Sequence, residues 1–234
     1  MPLPPHAIPV LDHGFVRVLE VMGDDVGIVG AARVSFGNES KGEKADRGLI
    51  KYLLAHDHGT PFEMTAFKFH IRAPIFVARQ WFRHRWSSFN EISGRYVSLE
   101  HRFFLPSTLR TPDMKNKQGS VEGGFSKEEE EGLLGEMDKS ARAAYSTYES
   151  LLEAGVAREI ARTVLPLSLY TEFYWKVNAR SLMNFLRLRT EIHAQKEIRA
   201  YAVPLLRVFE EHLPWTASAF RELFLSSLDL DPEA

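Results

Sequence analysis

The sequence predicts an α+β fold with mostly antiparallel strands and a helix-rich second half. Residues 65–72 and 168–177 alternate apolar and polar side chains, as half-buried antiparallel strands do. Residues 126–154, 179–189 and 194–212 instead repeat apolar residues at helical spacing. No GxGxxG motif follows a predicted strand, and there is no P-loop motif. Any phosphate must therefore be bound by side chains rather than by a glycine-rich loop.

Glycine, proline and capping residues indicate the order of the elements. Ser126 and Glu129 form a capping box that opens the longest helix, Gly155 closes that helix, and Asn178 is a candidate cap for the next one. The other predicted elements are a strand at 15–22, helices at 25–35, 43–56 and from 75 onward, a turn at 56–63, a short strand at 101–106, and helices at 156–165 and 214–224.

We expect one domain spanning residues 1–234. Residues 1–9 are rich in proline and predict a loose N-terminal tail. Residues 107–125 are polar, contain glycine and have no period, which predicts an exposed, mobile loop.

Composition narrows the class of protein. The 234 residues are 44% hydrophobic and 26% charged with a net charge of −2, which is typical of a soluble globular protein and does not favour nucleic acid or an anionic membrane as a partner. Cysteine is absent, which excludes disulfides, thiolate metal ligands and a cysteine nucleophile. No signal peptide and no membrane-spanning run is present, so we expect a cytoplasmic protein.

The segment Arg79–Tyr96 carries the densest chemistry in the chain. It begins as an apolar helix and then combines arginines, a histidine, hydroxyls, an amide and a carboxylate with several aromatic rings. A core could not bury so many unpaired guanidinium groups, and an exposed loop has little use for the aromatic rings. The pattern indicates the wall of a cleft that binds an anion, because the arginine fork pairs with phosphate in a bidentate way.

Simpler interpretations remain open for these residues. Arg83, Arg85 and Arg95 could be structural ion-pair partners of nearby glutamates, namely Glu63, Glu91 or Glu100. His56 and His58 flank Asp57 on a turn, but no third ligand follows at a recognisable spacing, so we expect no metal site.

Several blocks of the sequence resemble the flavin-dependent thymidylate synthases. The family signature of an Arg-His-Arg triplet, seven residues and a serine occurs as RHRWSSFNEIS at residues 83–93. Further blocks resembling the family occur in family order, with no departure at a motif position: ARVS at 32–35, HGTPFE at 58–63, APIFVARQWFRHR at 73–85, ARTVLPL at 161–167 and VNARSLMNFLRLRTEIH at 177–193.

This resemblance implies reductive methylation of dUMP to dTMP. It implies FAD as the redox cofactor, 5,10-methylenetetrahydrofolate as carbon donor and NADPH as reductant, with no metal. It further implies a central sheet flanked by helices and a homotetramer whose active sites lie at subunit interfaces. Small molecules, and neither nucleic acid nor membranes, are then the expected partners.

Roles for individual residues follow from the same resemblance. Arg95 is expected to bind the dUMP phosphate and Ser93 to contact the nucleotide rather than act as a nucleophile. The full set expected at dUMP is Gln80, Trp81, Phe82, Arg83, Glu91, Ile92, Ser93, Gly94, Arg95, Arg162 and Arg189. The set expected at FAD is Thr60, Arg83, His84, Arg85, Glu91, Asn178, Arg180, Asn184 and His193, with Ser35 and His58 as flavin or folate candidates.

Arg189 is the expected catalytic residue. By resemblance it lies beside the uracil N3 and favours its ionised form. A fixed cation in a partly dry site stabilises negative charge that develops on the pyrimidine ring. Without the resemblance, Arg189 could simply favour the C-terminus of its helix, and Asn178 could be only a helix cap.

Two other classes of function stay open. The cations and aromatic rings of residues 83–96 could form a stacking platform for single-stranded RNA. Alternatively, the chain could be an inactive structural oligomer whose arginines pair across subunits.

Overall fold

The computed structural model describes residues 3–37, 40–114, 116, 119–227 and 229–230. Its centre is a five-stranded antiparallel sheet in the order β1-β2-β3-β7-β4. A two-stranded ladder joins the other two strands, β5 and β6. The strands are β1 (Ile8–Val10), β2 (Gly14–Met22), β3 (Ala66–Pro74), β4 (Ser87–Glu91), β5 (Arg110–Pro112), β6 (Ser120–Glu122) and β7 (Tyr170–Asn178).

Helices make up most of the rest of the described chain. Two 3₁₀ turns lie at Val34–Phe36 and Arg162–Val164, and a π-helical turn lies at Arg221–Leu225. The α-helices are α1 (Asp25–Ala32), α2 (Glu43–Ala55), α3 (Thr60–Glu63), α4 (Ile75–Trp81), α5 (Lys127–Glu153), α6 (Arg158–Ala161), α7 (Ala179–Arg189), α8 (Lys196–His212) and α9 (Pro214–Phe220).

The core lies between one face of the sheet and the helices. Phe69 on β3 pairs in register with Trp175 on the neighbouring β7, and both side chains are fully buried. Phe185 of α7 packs against Trp175 with ring centroids 5.1 Å apart. On the opposite face, His70 and Arg72 both bond to Glu172, at 2.8 and 2.7 Å. The alternation seen in the sequence therefore separates an aromatic core face from a polar outer face.

The observed mixture of helices and antiparallel strands confirms the predicted fold class. The bounds of α7 are the predicted ones, and the two alternating strands lie within two residues of their predicted positions. The capping box of Ser126 and Glu129 is present at the start of α5. Gly155 follows that helix with a φ of 85°, a backbone conformation that glycine adopts without strain.

Several predictions of local structure were wrong. Residues 101–106 contain a single bridge from Phe103 to Leu169 and no strand. Ile8 and Pro9, predicted to belong to a loose tail, pair with β2. Residues 107–125, predicted to be without regular structure, carry the β5–β6 ladder, although their mobility stays a prediction. The helix predicted at 25–35 ends at Ala32.

The helix predicted at 156–165 is also shorter than expected. Within the described residues it consists of α6 followed by a 3₁₀ turn. No helix of the described part combines the length and the apolar character needed to cross a membrane.

Candidate active site

A buried tryptophan anchors the segment that carries the arginine cluster. Trp81 ends α4 and is 0% exposed, with ring centroids 4.9 Å from Phe185 and 5.2 Å from Trp175. The chain then leaves the helix, and β4 adds to the sheet beside β7, with Ser87 opposite Val177. Residues 83–86 therefore connect α4 to β4 directly beside the junction of β7 and α7.

A cavity of about 560 Å³ lies at this junction. The connection 83–86 forms one wall and α7 forms the other. Four guanidinium groups line the cavity, two from each wall, which makes it a strongly cationic site for its size. Its lining residues are Arg83, His84, Arg85, Trp86, Ser87, Val177, Arg180, Ser181, Asn184, Leu188 and Arg189.

Asn178 positions the start of α7. Its side-chain oxygen accepts a hydrogen bond from the Ser181 backbone N–H at 2.8 Å, so it is a helix cap, as one interpretation of the sequence expected. A contact of Asn178 with a cofactor stays a prediction. The positive end of the helix dipole lies at Arg180 and Ser181, which line the cavity, and it adds to the attraction for an anion.

His84 and Arg189 interact at the far end of the cavity. The Arg189 Nε–H donates to His84 Nε2 at 3.2 Å. Burial, followed by the charge of Arg189, lowers the pKa of His84 to about 4. Burial also lowers the pKa of Arg189, although arginine stays protonated in proteins. The imidazole is therefore a neutral acceptor that carries its proton on Nδ1 and fixes the orientation of a cationic guanidinium.

The ion pairs differ from those considered from the sequence. Glu63 pairs with Arg180 at 2.7 Å, and Glu100 pairs with Arg102 at 2.6 Å. Glu91 accepts a hydrogen bond from the Thr171 hydroxyl at 2.6 Å. The suggestion that Glu63, Glu91 or Glu100 neutralises Arg83, Arg85 or Arg95 is therefore wrong. Within the described residues, none of the ion pairs includes Arg83, Arg85 or Arg189.

A second group of predicted residues lies outside this cavity. Arg95 pairs with Glu159 of α6 at 3.1 Å, and both side chains are about half exposed. Gly94 is buried against the Arg162 side chain, whose Cδ lies 3.3 Å from where a Cβ of residue 94 would be. Neither these residues nor Ser93 line the 560 Å³ cavity, so one chain carries two separate groups of the residues expected at dUMP.

The remaining predicted residues are scattered around these two groups. His58 lines a smaller cavity of about 160 Å³ that shares Arg180 and Asn184 with the larger one. His193 lines a third cavity, of about 250 Å³, between the β5–β6 ladder and α8. Ser35, Thr60 and Ile92 are exposed outside the large cavity, and Gln80 is hydrogen-bonded to Gln195.

Trp81 and Phe82 serve the core rather than the cavity. The Trp81 side chain is fully buried, so it has no surface to offer a nucleotide. Phe82 packs against Phe89 and Phe173, with centroids 4.7 and 5.0 Å away. A contact of either residue with dUMP stays a prediction.

Sequence reasoning missed part of the lining. Leu188 was not singled out, although it lies four residues after Asn184 and eight after Arg180, so helical periodicity alone places all three on one face of α7. Trp86, whose side chain is 79% exposed, and Ser87 lie inside the recognised cluster. No group of three or more potential metal ligands occurs among the described residues.

The fold and the cavity together define a mixed helix and antiparallel-sheet scaffold with a cavity lined by four arginine side chains, an arrangement suited to an anionic ligand. The family model described as thymidylate synthase complementing protein matches residues 17–215. The chain is 52% identical over 213 residues to the flavin-dependent thymidylate synthase of Thermotoga neapolitana, covering 91% of this chain and 93% of the relative. It is also 52% identical over 221 residues to the one from Thermus thermophilus, covering 94% and 80%.

A solved structure agrees in fold. The crystal structure of the UMP/dUMP methylase PolB from Streptomyces cacaoi, bound with 5-Br dUMP, superposes with a TM-score of 0.83 at 34% identity, covering 93% of this chain and 98% of that one. The chain therefore belongs to the thymidylate synthase complementing protein family, whose curated relatives here are named flavin-dependent thymidylate synthases. The resemblance seen in the sequence is confirmed.

Proposed function

We propose that this protein is a flavin-dependent thymidylate synthase that methylates dUMP reductively to dTMP. The observation that carries the proposal is the cationic cavity, where Arg83, Arg85 and Arg189 have no carboxylate partner among the described residues. Arg83 and Arg85 are exposed to solvent at the cavity and Arg189 is partly buried, so all three guanidinium groups can pair with an anionic ligand. The family relatives' names, and the dUMP methylase with the same fold, favour phosphorylated pyrimidine and flavin as those ligands.

The residues at the cavity suit FAD. FAD carries a pyrophosphate and a flat three-ring system. Guanidinium groups from both walls suit the pyrophosphate, and the exposed ring of Trp86 suits stacking against a flat heterocycle. We assign FAD contacts to Arg83, His84, Arg85, Arg180 and Asn184, and further contacts to Thr60, Glu91, Asn178, His193, Ser35 and His58. When bound, FAD supplies the redox chemistry that no side chain of the protein can supply.

Arg189 is the residue we assign to catalysis. Its guanidinium is partly buried and oriented by the neutral ring of His84. A preorganised cation of this kind stabilises negative charge on the pyrimidine ring as its C5 becomes nucleophilic. Because His84 accepts rather than donates, it holds the cation in place without repelling it.

The proposal also covers the co-substrates, the nucleotide contacts and the assembly of the active site. Methylenetetrahydrofolate supplies the carbon and NADPH the reducing equivalents. Arg95, Ser93, Gly94, Ile92 and Arg162 bind the nucleotide together with Gln80, Arg83, Glu91 and Arg189. Since the group around Arg95 does not line the cavity that holds Arg189, we propose that each active site combines residues of different chains in a homotetramer. We also propose that the protein is located in the cytoplasm.

The first experiment is a spectrum of the purified protein. Bound flavin should give a yellow protein with visible absorption that bleaches anaerobically on addition of NADPH. With dUMP and methylenetetrahydrofolate added, dTMP should accumulate. A colourless protein that neither binds added FAD nor forms dTMP would refute the proposal.

The exposed rings of Trp86 and Tyr96, 79% and 77% exposed, are the one observation that favours the RNA-binding alternative. The net charge of −2 argues against it. Tight binding of unrelated single-stranded RNAs that weakens steeply with salt would support that alternative.

A further inference from the structure

Arg180 differs from the other cations of the large cavity. Its NH1 group donates to Glu63 Oε1 at 2.7 Å, while no ion pair within the described chain involves Arg83, Arg85 or Arg189. Arg180 also lines both the 560 Å³ cavity and the 160 Å³ cavity beside His58. Its guanidinium therefore stands at the boundary between the two spaces.

Gly59 makes this position of Arg180 possible. A Cβ at residue 59 would lie 2.3 Å from the Nε, 2.5 Å from the Cζ and 2.6 Å from the Cδ of Arg180. The backbone of Gly59 is helical, with φ −77° and ψ −25°, a conformation that any L-residue adopts. Glycine is thus required here for space and not for backbone freedom, and the space is taken by Arg180.

We propose that Glu63 and Gly59 are positioning residues that hold the Arg180 guanidinium at the boundary of the two cavities before an anionic cofactor binds. Glu63 attracts the guanidinium, and Gly59 leaves room for it at the start of α3. Without them, repulsion from the other three cations and the rotamer entropy of the side chain favour other positions of this half-exposed side chain. The anion as ligand rests on the proposed function, whereas the placement of Arg180 does not.

Preorganisation predicts a measurable gain in affinity. Ordering a rotamer-rich side chain at the moment of binding weakens association by roughly 2- to 12-fold. Gly59→Ala keeps every charge and places a methyl group closest to Arg180, whereas Glu63→Gln keeps the size of the side chain but removes its charge. We expect each variant to raise the dissociation constant of FAD, measured by flavin fluorescence, by a factor in that range.

A double-mutant cycle tests whether both residues act through Arg180. In an Arg180→Ala background, neither Gly59→Ala nor Glu63→Gln should change FAD affinity further. Gly48→Ala is the matched control, because Gly48 is exposed on α2 and a Cβ there meets no atom within 4 Å. Equal effects with and without Arg180 would overturn the inference, as would tighter FAD binding by Glu63→Gln.

A second measurement needs no flavin. Phenylglyoxal modifies accessible arginines, and peptide mapping gives the rate at Arg180 in the apoprotein. Arg180 is half exposed and pairs with Glu63, so Gly59→Ala and Glu63→Gln should each raise that rate several-fold over the wild type and Gly48→Ala by weakening that ion pair. Unchanged rates would overturn the inference even if FAD does not bind. Failure of the wild type to bind FAD would instead refute the proposed function.

Discussion

Stability should depend on pH through His84. Burial and the neighbouring Arg189 lower the pKa of the folded protein's His84 to about 4, whereas the unfolded chain titrates near its ordinary value of 6.5. At a pH between these two pKa values, His84 is protonated in the unfolded state but not in the folded state. The contribution of His84 to the free energy of unfolding is therefore fully present above about pH 6.5 and is lost as the pH falls toward about 4.

The size of this effect follows from the same pKa difference. A pKa that falls from 6.5 to about 4 corresponds to at most roughly 3 kcal/mol of unfolding free energy. The His84 ring is partly exposed, so solvent screening reduces this to on the order of 1–2 kcal/mol. His84→Gln is the matched variant, because glutamine offers an oxygen acceptor to Arg189 but does not titrate.

Urea unfolding of both proteins from about pH 4 to about pH 8, at one protein concentration, measures the difference. Contributions from other titrating groups cancel between the two proteins when those groups lie far from residue 84. We expect the stability of the wild type relative to His84→Gln to be constant above about pH 7 and to fall by on the order of 1–2 kcal/mol toward about pH 4. A difference that stays flat over this range would contradict a His84 that is neutral and half-buried in the folded protein.

Three further substitutions test the assigned roles. Arg189→Ala should retain FAD and the fold but lower kcat for dTMP formation by about 100-fold or more, measured at saturating substrate; normal turnover would remove it from catalysis. Arg95→Ala should mainly raise the KM for dUMP, while Arg142→Ala, which breaks an exposed ion pair on α5, should not; an unchanged KM would contradict the phosphate role. Asn178→Ala should cost about 1 kcal/mol of stability through loss of the α7 cap, measured by thermal unfolding, and an unchanged melting temperature would contradict the cap.

Local patterns in the sequence were sufficient for much of the fold. Apolar and polar residues alternate on β3 and β7 because one face of each strand packs on the core and the other faces solvent. This alternation is visible in the local sequence without knowledge of the rest of the fold. The capping box of Ser126 and Glu129 is similarly local. The β5–β6 ladder was missed because its three residue pairs join short polar strands that have no apolar face of their own.

The site was predictable where one segment supplies it. Residues 83–87 were singled out together because cations and aromatic rings crowd a short stretch, and they line the cavity together. The partner of Arg180 could not be found this way. Glu63 lies 117 residues earlier in the chain, and only the packing of α3 against α7 brings the two together.

The separation of Arg95 from Arg189 leads to a test of how the active site is assembled. Arg95 lies in the segment 79–96 and Arg189 in the family block 177–193. Only Arg189 lines the large cavity, while Arg95 pairs with Glu159. If one dUMP contacts both arginines, we expect the two arginines to come from different chains. Arg95→Ala and Arg189→Ala proteins, each defective alone, should then complement one another when co-expressed.

Mixed oligomers of the two variants should recover a defined fraction of the wild-type activity. In randomly mixed oligomers a site needs an intact Arg95 from one chain and an intact Arg189 from another, so about a quarter of the sites should regain wild-type activity. The readout is dTMP formation by mixed oligomers isolated through two different affinity tags, with single-variant oligomers as controls. Activity no greater than the sum of the single variants would place both arginines in one chain's site. The nucleotide would then have to bridge the two groups within a single subunit.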